Sequence, residues 1–170
     1  IAPLSARLSP DVEFKYRDNT LKLFSHPHNF TWRNERAVEI PIVLGFLEKH
    51  PAPAQATLEV GRVLPHYLAD AGWTVVDLVE QGPHVVNEDF VDFDPDRTFR
   101  RVISVSTIEH IGLDDGTGNP ERVLAAVAKI RKVLAPGGSA IITFANGYNS
   151  FLDARIVDDS GLFDEYYVLE

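Results

Sequence analysis

Cysteine is absent from the 170 residues. That excludes disulfide scaffolds, thiolate nucleophiles and zinc or iron–sulfur sites built on thiolates; any metal would have to be held by oxygen and nitrogen. No apolar run approaches the roughly 18 residues that a membrane span requires. The opening residues lack the charged, apolar and small blocks of a leader, so cytoplasm is the default compartment, although a start at Ile1 and not at methionine reads as a trimmed or incomplete chain. Positive charge is scarce too: 16 Lys and Arg stand against 25 Asp and Glu, for a net charge of -9. A phosphate backbone would meet a repulsive field, so nucleic acid is a poor partner.

What is present suits one soluble α/β domain over residues 1–170 with a real core, 45% of the residues being hydrophobic. Residues 1–31 read as an irregular N-terminal flap or docking surface, interrupted by Pro3, Pro10 and Pro27 and mixing aromatic with basic side chains. The two histidines His26 and His28 read as a solvated loop. From Trp32 to Leu47 the spacing of Val43, Phe46 and Leu47 predicts a helix over the sheet edge, starting or kinking near Pro41. A cofactor-type core is expected over residues 55–145.

The organising stretch is Thr57-Leu58-Glu59-Val60-Gly61, followed by Arg62-Val63-Leu64-Pro65-His66-Tyr67. It reads as strand, turn and a helix from Pro65 to Asp70, the place in an open parallel sheet where a nucleotide-like ligand meets strand ends and backbone amides. The turn is short of glycine, with Val63 and Pro65 where a full Gly-x-Gly-x-Gly pattern would continue. Trp73 to Leu78 predicts a second strand whose exit carries Asp77, an acceptor suited to the two hydroxyls of a ribose. Val85 to Phe90 predicts a third strand and its exit, Arg101 to Ser106 a fourth covered on both faces, and Ser139 to Phe144 a fifth. Asn119 as N-cap, Pro120 and Glu121 open the clearest helix. After the fifth strand only Phe151-Leu152, Ile156-Val157 and Tyr166 to Leu169 remain, enough for one more strand but not for a closing hairpin. Strands alternating with helices point to a Rossmann-like, doubly wound, mostly parallel sheet.

Glu59, Asp77 and Asp89 fall at three successive strand exits. They suit a cationic, polyhydroxylated ligand and would repel the phosphates of a dinucleotide, which argues against a dehydrogenase. Glu59 could equally only cap the helix that follows.

The same pieces resemble the class I S-adenosylmethionine-dependent methyltransferases over about residues 32–153. Leu58-Glu59-Val60-Gly61 looks like their motif I, Asp77 like the ribose acid, Asp89-Phe90 like the adenine segment and Ser104 to His110 like motif IV. Val133-Leu134-Ala135-Pro136-Gly137-Gly138 looks like the stretch before their fifth strand. Glu59 to Tyr67, Asn87-Glu88-Asp89, Ser106 to His110 and Gly147-Tyr148-Asn149 further resemble a bacterial subgroup associated with glycan genes, with the mycobacterial methylmannose polysaccharide enzymes as neighbours. The resemblance implies S-adenosylmethionine as cofactor, bound by Glu59, Gly61, Arg62, Asp77, Asp89, Phe90 and Ser106, with Arg62 reaching its carboxylate or facing solvent. It departs from the family in its glycine-poor turn and in closing strands that are missing or only begun.

Methyl transfer from a sulfonium is an in-line displacement, and a hydroxyl acceptor needs a base or cation at its oxygen. His110 is the expected base, or else a helix-start histidine bonding a backbone carbonyl. Glu109 would orient it, bind the sugar or join it in holding Mg2+, with Asp114 and Asp115 the nearest further ligands. Tyr148, Asn149 and Glu35 are the expected acceptor-binding residues. The resulting expectation is sugar or glycan O-methylation, with a homodimer as the candidate assembly. Methylation of a phenolic metabolite, or a catalytically degenerate partner subunit, stand as alternatives.

Overall fold

The structure, a computed structural model, describes residues 7–69, 72–158 and 161–169. Pro3 and Asp70, both named above, lie outside the described residues. Strand β1 (Arg7–Tyr16) pairs antiparallel with β2 (Asn19–Ser25) across Arg17-Asp18. Within the segment expected to be irregular, residues 7–25 are therefore a hairpin. Leu21 and Leu23 are turned further inward than Thr20 and Lys22, an alternation that stops at Phe24, which is fully buried from the opposite face. Pro10 falls where the register slips between Leu8 and Glu13, a position at which a missing N–H breaks no ladder.

Helix α1 (Arg36–Lys49) starts one turn before Pro41, so of the two expectations the start near Pro41 falls away and the proline lies inside the helix. Its two ends fix its direction: Glu39, near its start, bonds Ser106 past the end of the central strand, while Arg101 at that strand's beginning donates to the carbonyls of Leu47 and His50. A guanidinium on the last carbonyls of a helix satisfies orphan acceptors and complements the dipole. Thus α1 runs antiparallel to that strand, and its N-terminus lies at the sheet's carboxyl edge.

The main sheet comprises β3 (Thr57–Val60), β4 (Thr74–Val76), β5 (Val85–Val86), β6 (Phe99–Val105) and β7 (Leu134–Thr143), in spatial order β5-β4-β3-β6-β7, every neighbouring pair parallel. Alternation sends adjacent residues to opposite faces. Val76, Val102 and Leu58 pack with α2 (Arg122–Val133) and with Leu152 of α3 (Ser150–Val157), while Val75, Ile103 and Val105 pack with α1, Leu64, Tyr67 and Trp73. Two cores on two faces make β6 buried at every position but Arg100, as its β-branched run predicted. This is the Rossmann-like doubly wound arrangement, with the strand order reversing between β3 and β6.

Several boundaries differ. The helix expected from Pro65 is a single 3-10 turn, Leu64–His66, because Glu59 holds the amides of Val63 and Leu64 and the chain then dives inward at Tyr67 and Leu68. No helix separates β4 from β5 or β5 from β6 among the described residues. Asn119 caps from two residues before Glu121, its Oδ1 accepting the Glu121 amide at 3.1 Å. Strand β7 begins already at Leu134, and Pro136-Gly137-Gly138 forms its irregular entry instead of ending the helix alone. Tyr166 to Leu169 pairs with no strand, so β7 is the sheet's edge among the described residues.

Candidate active-site cleft

Parallel strands ending side by side leave a crevice where the strand order reverses, and this one is lined by the residues just past four strand ends. Val60 and Gly61 come from β3, Asp77, Leu78 and Val79 from β4, Glu88, Asp89 and Phe90 from β5, and Thr107, His110, Ile111, Asp114 and Asp115 from β6. Its volume is about 190 Å³, below the roughly 300–1,000 Å³ of pockets that enclose a whole drug-sized ligand, and sufficient for part of one. Leu78 and Val79 are 50% and 78% exposed there. Apolar walls beside carboxylates fit a nucleoside, whose base is apolar on its faces and whose sugar carries hydroxyl donors.

Gly61 makes the floor. Its φ of +80° is left-handed, and a Cβ at this position would fall inside the Thr107 side chain. Strand ends β3 and β6 approach so closely here that only glycine passes. A single glycine therefore serves this close crossing, and Val63 and Pro65 lie in the turn beyond it.

The three acids separate. Asp77 and Asp89 line the cleft; Glu59 does not. Glu59 is fully buried, accepting from the amides of Val63 and Leu64 at 3.0 and 2.7 Å and from Trp73 Nε1 at 2.8 Å. Burial pushes its pKa up to about 7 against the lowering effect of those donors. Its role is to brace the turn, so the expectation that its carboxylate grips a cofactor gives way to the capping alternative. Asp77 Oδ1 accepts from the amides of Val79 and Glu80, and Oδ2 from the amide of Arg62 at 2.8 Å. Three of about four lone-pair positions are taken, leaving room for one ligand hydroxyl and not the bidentate pair expected. Asp89 accepts from the Val91 amide at 2.9 Å and from Arg122 Nη1 at 2.9 Å. Arg122 also bonds Asp115 at 2.7 Å, tying the β5 exit to the loop after β6. Burial opposes ionisation of Asp115, but hydrogen bonds from Thr117 and Gly112 and the Arg122 charge outweigh it and lower its pKa to about 2. Phe90 lines the cleft from the α2-side core.

Three other expected binding residues, Arg62, Ser106 and Asn149, are engaged elsewhere. The Arg62 guanidinium bonds Glu80 at 3.0 Å and contacts His66 at 3.2 Å, outside the cleft lining. Ser106, with φ +37°, donates to Glu39 at 2.7 and 2.8 Å. Asn149 is buried: its Oδ1 accepts the Leu152 amide to cap α3, and its Nδ2 donates to the Glu109 carbonyl. It shapes the loop and does not face an acceptor. Glu35 is exposed at the start of α1.

Glu109 and His110 point in opposite directions. Glu109 is 1% exposed, with Oε2 lacking a partner and Oε1 only 3.4 Å from the Ala145 amide. Burial, aided by the neighbouring Glu39 charge, pushes its pKa up to about 7, against opposing contributions from backbone amides and His110. It is not His110's partner. That part is taken by Asp114, whose Oδ2 lies 2.5 Å from His110 Nδ1 and accepts from Tyr148 Oη at 2.5 Å. The Tyr148 and His110 rings lie 4.2 Å apart. Hydrogen bonds from Tyr148 and His110 lower the Asp114 pKa, and the same bond raises that of Tyr148. The spacing His110-x-x-x-Asp114 was the available signal for this pair. Among the described residues no group of three or more His, Asp or Glu could hold a metal ion, and the expected Glu109–His110 pair for Mg2+ does not converge.

The inward carboxyl of Glu109 carries a stability prediction. A carboxyl whose folded pKa exceeds its unfolded one stabilises the fold below about pH 4.5, and that stability is lost as pH rises toward 7. Glu109→Gln removes the ionisation and at most about 3 kcal/mol of this loss. Thermal melts should show the variant's Tm exceeding the parent's at pH 8, with the gap closing by pH 5. Equal gaps at both pH values would contradict the assignment.

No family model matches the chain, and no curated protein matches it. Solved structures similar in fold include the N-methyltransferase NodS from Bradyrhizobium japonicum in complex with S-adenosyl-L-homocysteine, at 16% identity and TM-score 0.45, with 62% of this chain and 59% of that one covered. The sugar N-methyltransferase KedS8 from a Streptoalloteichus species aligns at 17% identity and TM-score 0.46, covering 82% and 60%. An S-adenosylmethionine-dependent methyltransferase from Clostridium acetobutylicum aligns at 12% and TM-score 0.41, covering 59% and 46%. The chain thus spans about three-fifths of the first and second of these and less than half of the third. By its own strand order it is a Rossmann-like fold, with its cleft at the carboxyl edge where that order reverses.

Proposed function

We propose that the chain is an S-adenosylmethionine-dependent methyltransferase whose acceptor is a hydroxyl of a sugar or glycan precursor. The observation that carries the reading is the cleft itself, in which exposed Leu78 and Val79, Asp77 and Asp89 ring a glycine floor, with His110 on the β6 side. Apolar walls would take the adenine, Asp77 one ribose hydroxyl, and the surrounding carboxylates favour a sulfonium over a phosphate. The cofactor supplies an electrophilic methyl on positively charged sulfur.

His110 Nδ1 is held by Asp114, which leaves Nε2 as the free base. In the proposed reaction the acceptor oxygen forms its bond to the methyl carbon as the carbon–sulfur bond breaks, and the hydroxyl proton passes to His110 Nε2. Asp114 is then a positioning residue that balances the imidazolium, and Tyr148 fixes the carboxylate by its hydroxyl. Glu109, inward and away from this group, has no part in the transfer.

Isothermal calorimetry with S-adenosylhomocysteine tests the reading. Saturable binding is expected, weakened at least about tenfold in Asp77→Ala by loss of a charged hydrogen bond. Absence of heat with the parent protein would overturn it.

A further inference from the structure

Between β2 and α1 the chain makes a tight turn in which Asn29 (φ 53°, ψ 18°) and Phe30 (φ 46°, ψ 53°) are both left-handed. A bulky aromatic residue in this region is strained, since its Cβ crowds the following carbonyl, and stability alone would place glycine or asparagine there. Strain of this kind points to a use for the side chain. The Phe30 ring makes little use of the core: it is 61% exposed, with Trp32 beside it 49% exposed, the two rings edge to face with centroids 5.6 Å apart. Thr31 between them is fully buried and anchors the turn, its Oγ1 accepting the His26 amide at 2.7 Å and itself 3.3 and 3.4 Å from the carbonyls of His26 and Phe24. Asn34 Nδ2 closes the loop by donating to the Asn29 carbonyl at 2.8 Å. A rigid base thus holds two aromatic rings outward.

The turn lies on the cleft's side of the sheet. Helix α1 begins at Arg36, and Glu39, one helical turn on, bonds Ser106, the residue before Thr107 of the cleft floor. Arg33 and Glu35, which follow the rings in the chain, are exposed as well. Two side chains offer far less than the roughly 800 Å² per partner of a protein interface, whereas one ring face with the other ring standing at 87° beside it makes a corner for the apolar C–H face of one pyranose, with a guanidinium and a carboxylate nearby in the chain for its hydroxyls.

We propose that Phe30 and Trp32 are the stacking platform for a sugar ring of the acceptor, with Arg33 and Glu35 bonding its hydroxyls. This rests on the methyltransferase reading for the purpose of the site, but its binding can be measured alone. The sequence holds two tryptophans, and the other, Trp73, is buried against Glu59, so a change in emission on adding ligand reports Trp32. Titration of the full chain with methyl pyranosides and their disaccharides should give a saturable shift for at least one, lost in Trp32→Phe by its readout and weakened at least tenfold in Phe30→Asn by competition calorimetry. Phe30→Asn should also raise Tm, because asparagine tolerates the left-handed backbone. S-adenosylhomocysteine binding should be unchanged in both variants. No saturable response to any glycoside, in protein that still binds S-adenosylhomocysteine, would overturn the platform and leave the proposed function standing. So would a Trp32 shift driven by protein concentration alone, which would mean a second copy covers the rings, or a lowered Tm in Phe30→Asn, which would make Phe30 a packing residue.

Discussion

Replacing His110 by alanine is expected to lower kcat by about 10²–10⁴, the range for loss of a general base, while S-adenosylhomocysteine affinity stays within about twofold. The second half follows from geometry: the imidazole is tied to Asp114 and Tyr148 on the β6 side of the cleft, apart from Asp77 and Leu78. A sharper signature comes from its two partners. Asp114→Asn leaves the imidazole without its anionic acceptor, and Tyr148→Phe leaves Asp114 with one donor fewer, so both should lower kcat while S-adenosylhomocysteine affinity holds. Equal loss of turnover and of S-adenosylhomocysteine binding in His110→Ala would make the histidine a structural residue and place the base elsewhere.

The second large effect is expected from Gly61→Ala. A left-handed alanine costs about 1–2 kcal/mol, and the overlap with Thr107 forces a local shift worth roughly 1–3 kcal/mol more. At roughly 2–4 °C per kcal/mol for a chain of this size, Tm should fall by about 10 °C, and calorimetry should find no binding of S-adenosylhomocysteine. Adding Thr107→Ala relieves part of the overlap but not the backbone cost, so the double variant should melt above the single one. Additive losses would mean that Gly61 and Thr107 do not meet, and with them the tight floor of the cleft would go.

The residues themselves carried the class of fold. Four short β-branched runs ending in Gly61, Asp77, Asp89 and Ser106, with an amphipathic helix opened by Asn119-Pro120, already determine a parallel sheet with a cleft at its carboxyl edge, because strand period and helix caps are local properties. The strands of the main sheet lie within a few residues of these runs, save that β7 starts at Leu134 and not at Ser139, and the residues at their exits line the cleft in the cases of Gly61, Asp77, Asp89, Phe90 and His110. The hairpin at Arg7–Ser25 escaped because its alternation is broken by Pro10 and a register slip.

Side-chain direction was decided only by tertiary packing. Glu59 and Glu109 occupy motif positions that read as functional, yet the first is drawn inward by the amides of its own turn and Trp73, and the second is buried beside Ala145. Ser106 turns to Glu39, a partner 67 residues away, which no local pattern announces. Composition and spacing settle which residues stand at a strand's end, since that depends on neighbours in the chain. Whether a carboxylate there meets solvent, a ligand or a buried amide depends on what distant segments bring against it, and only the folded chain decides that.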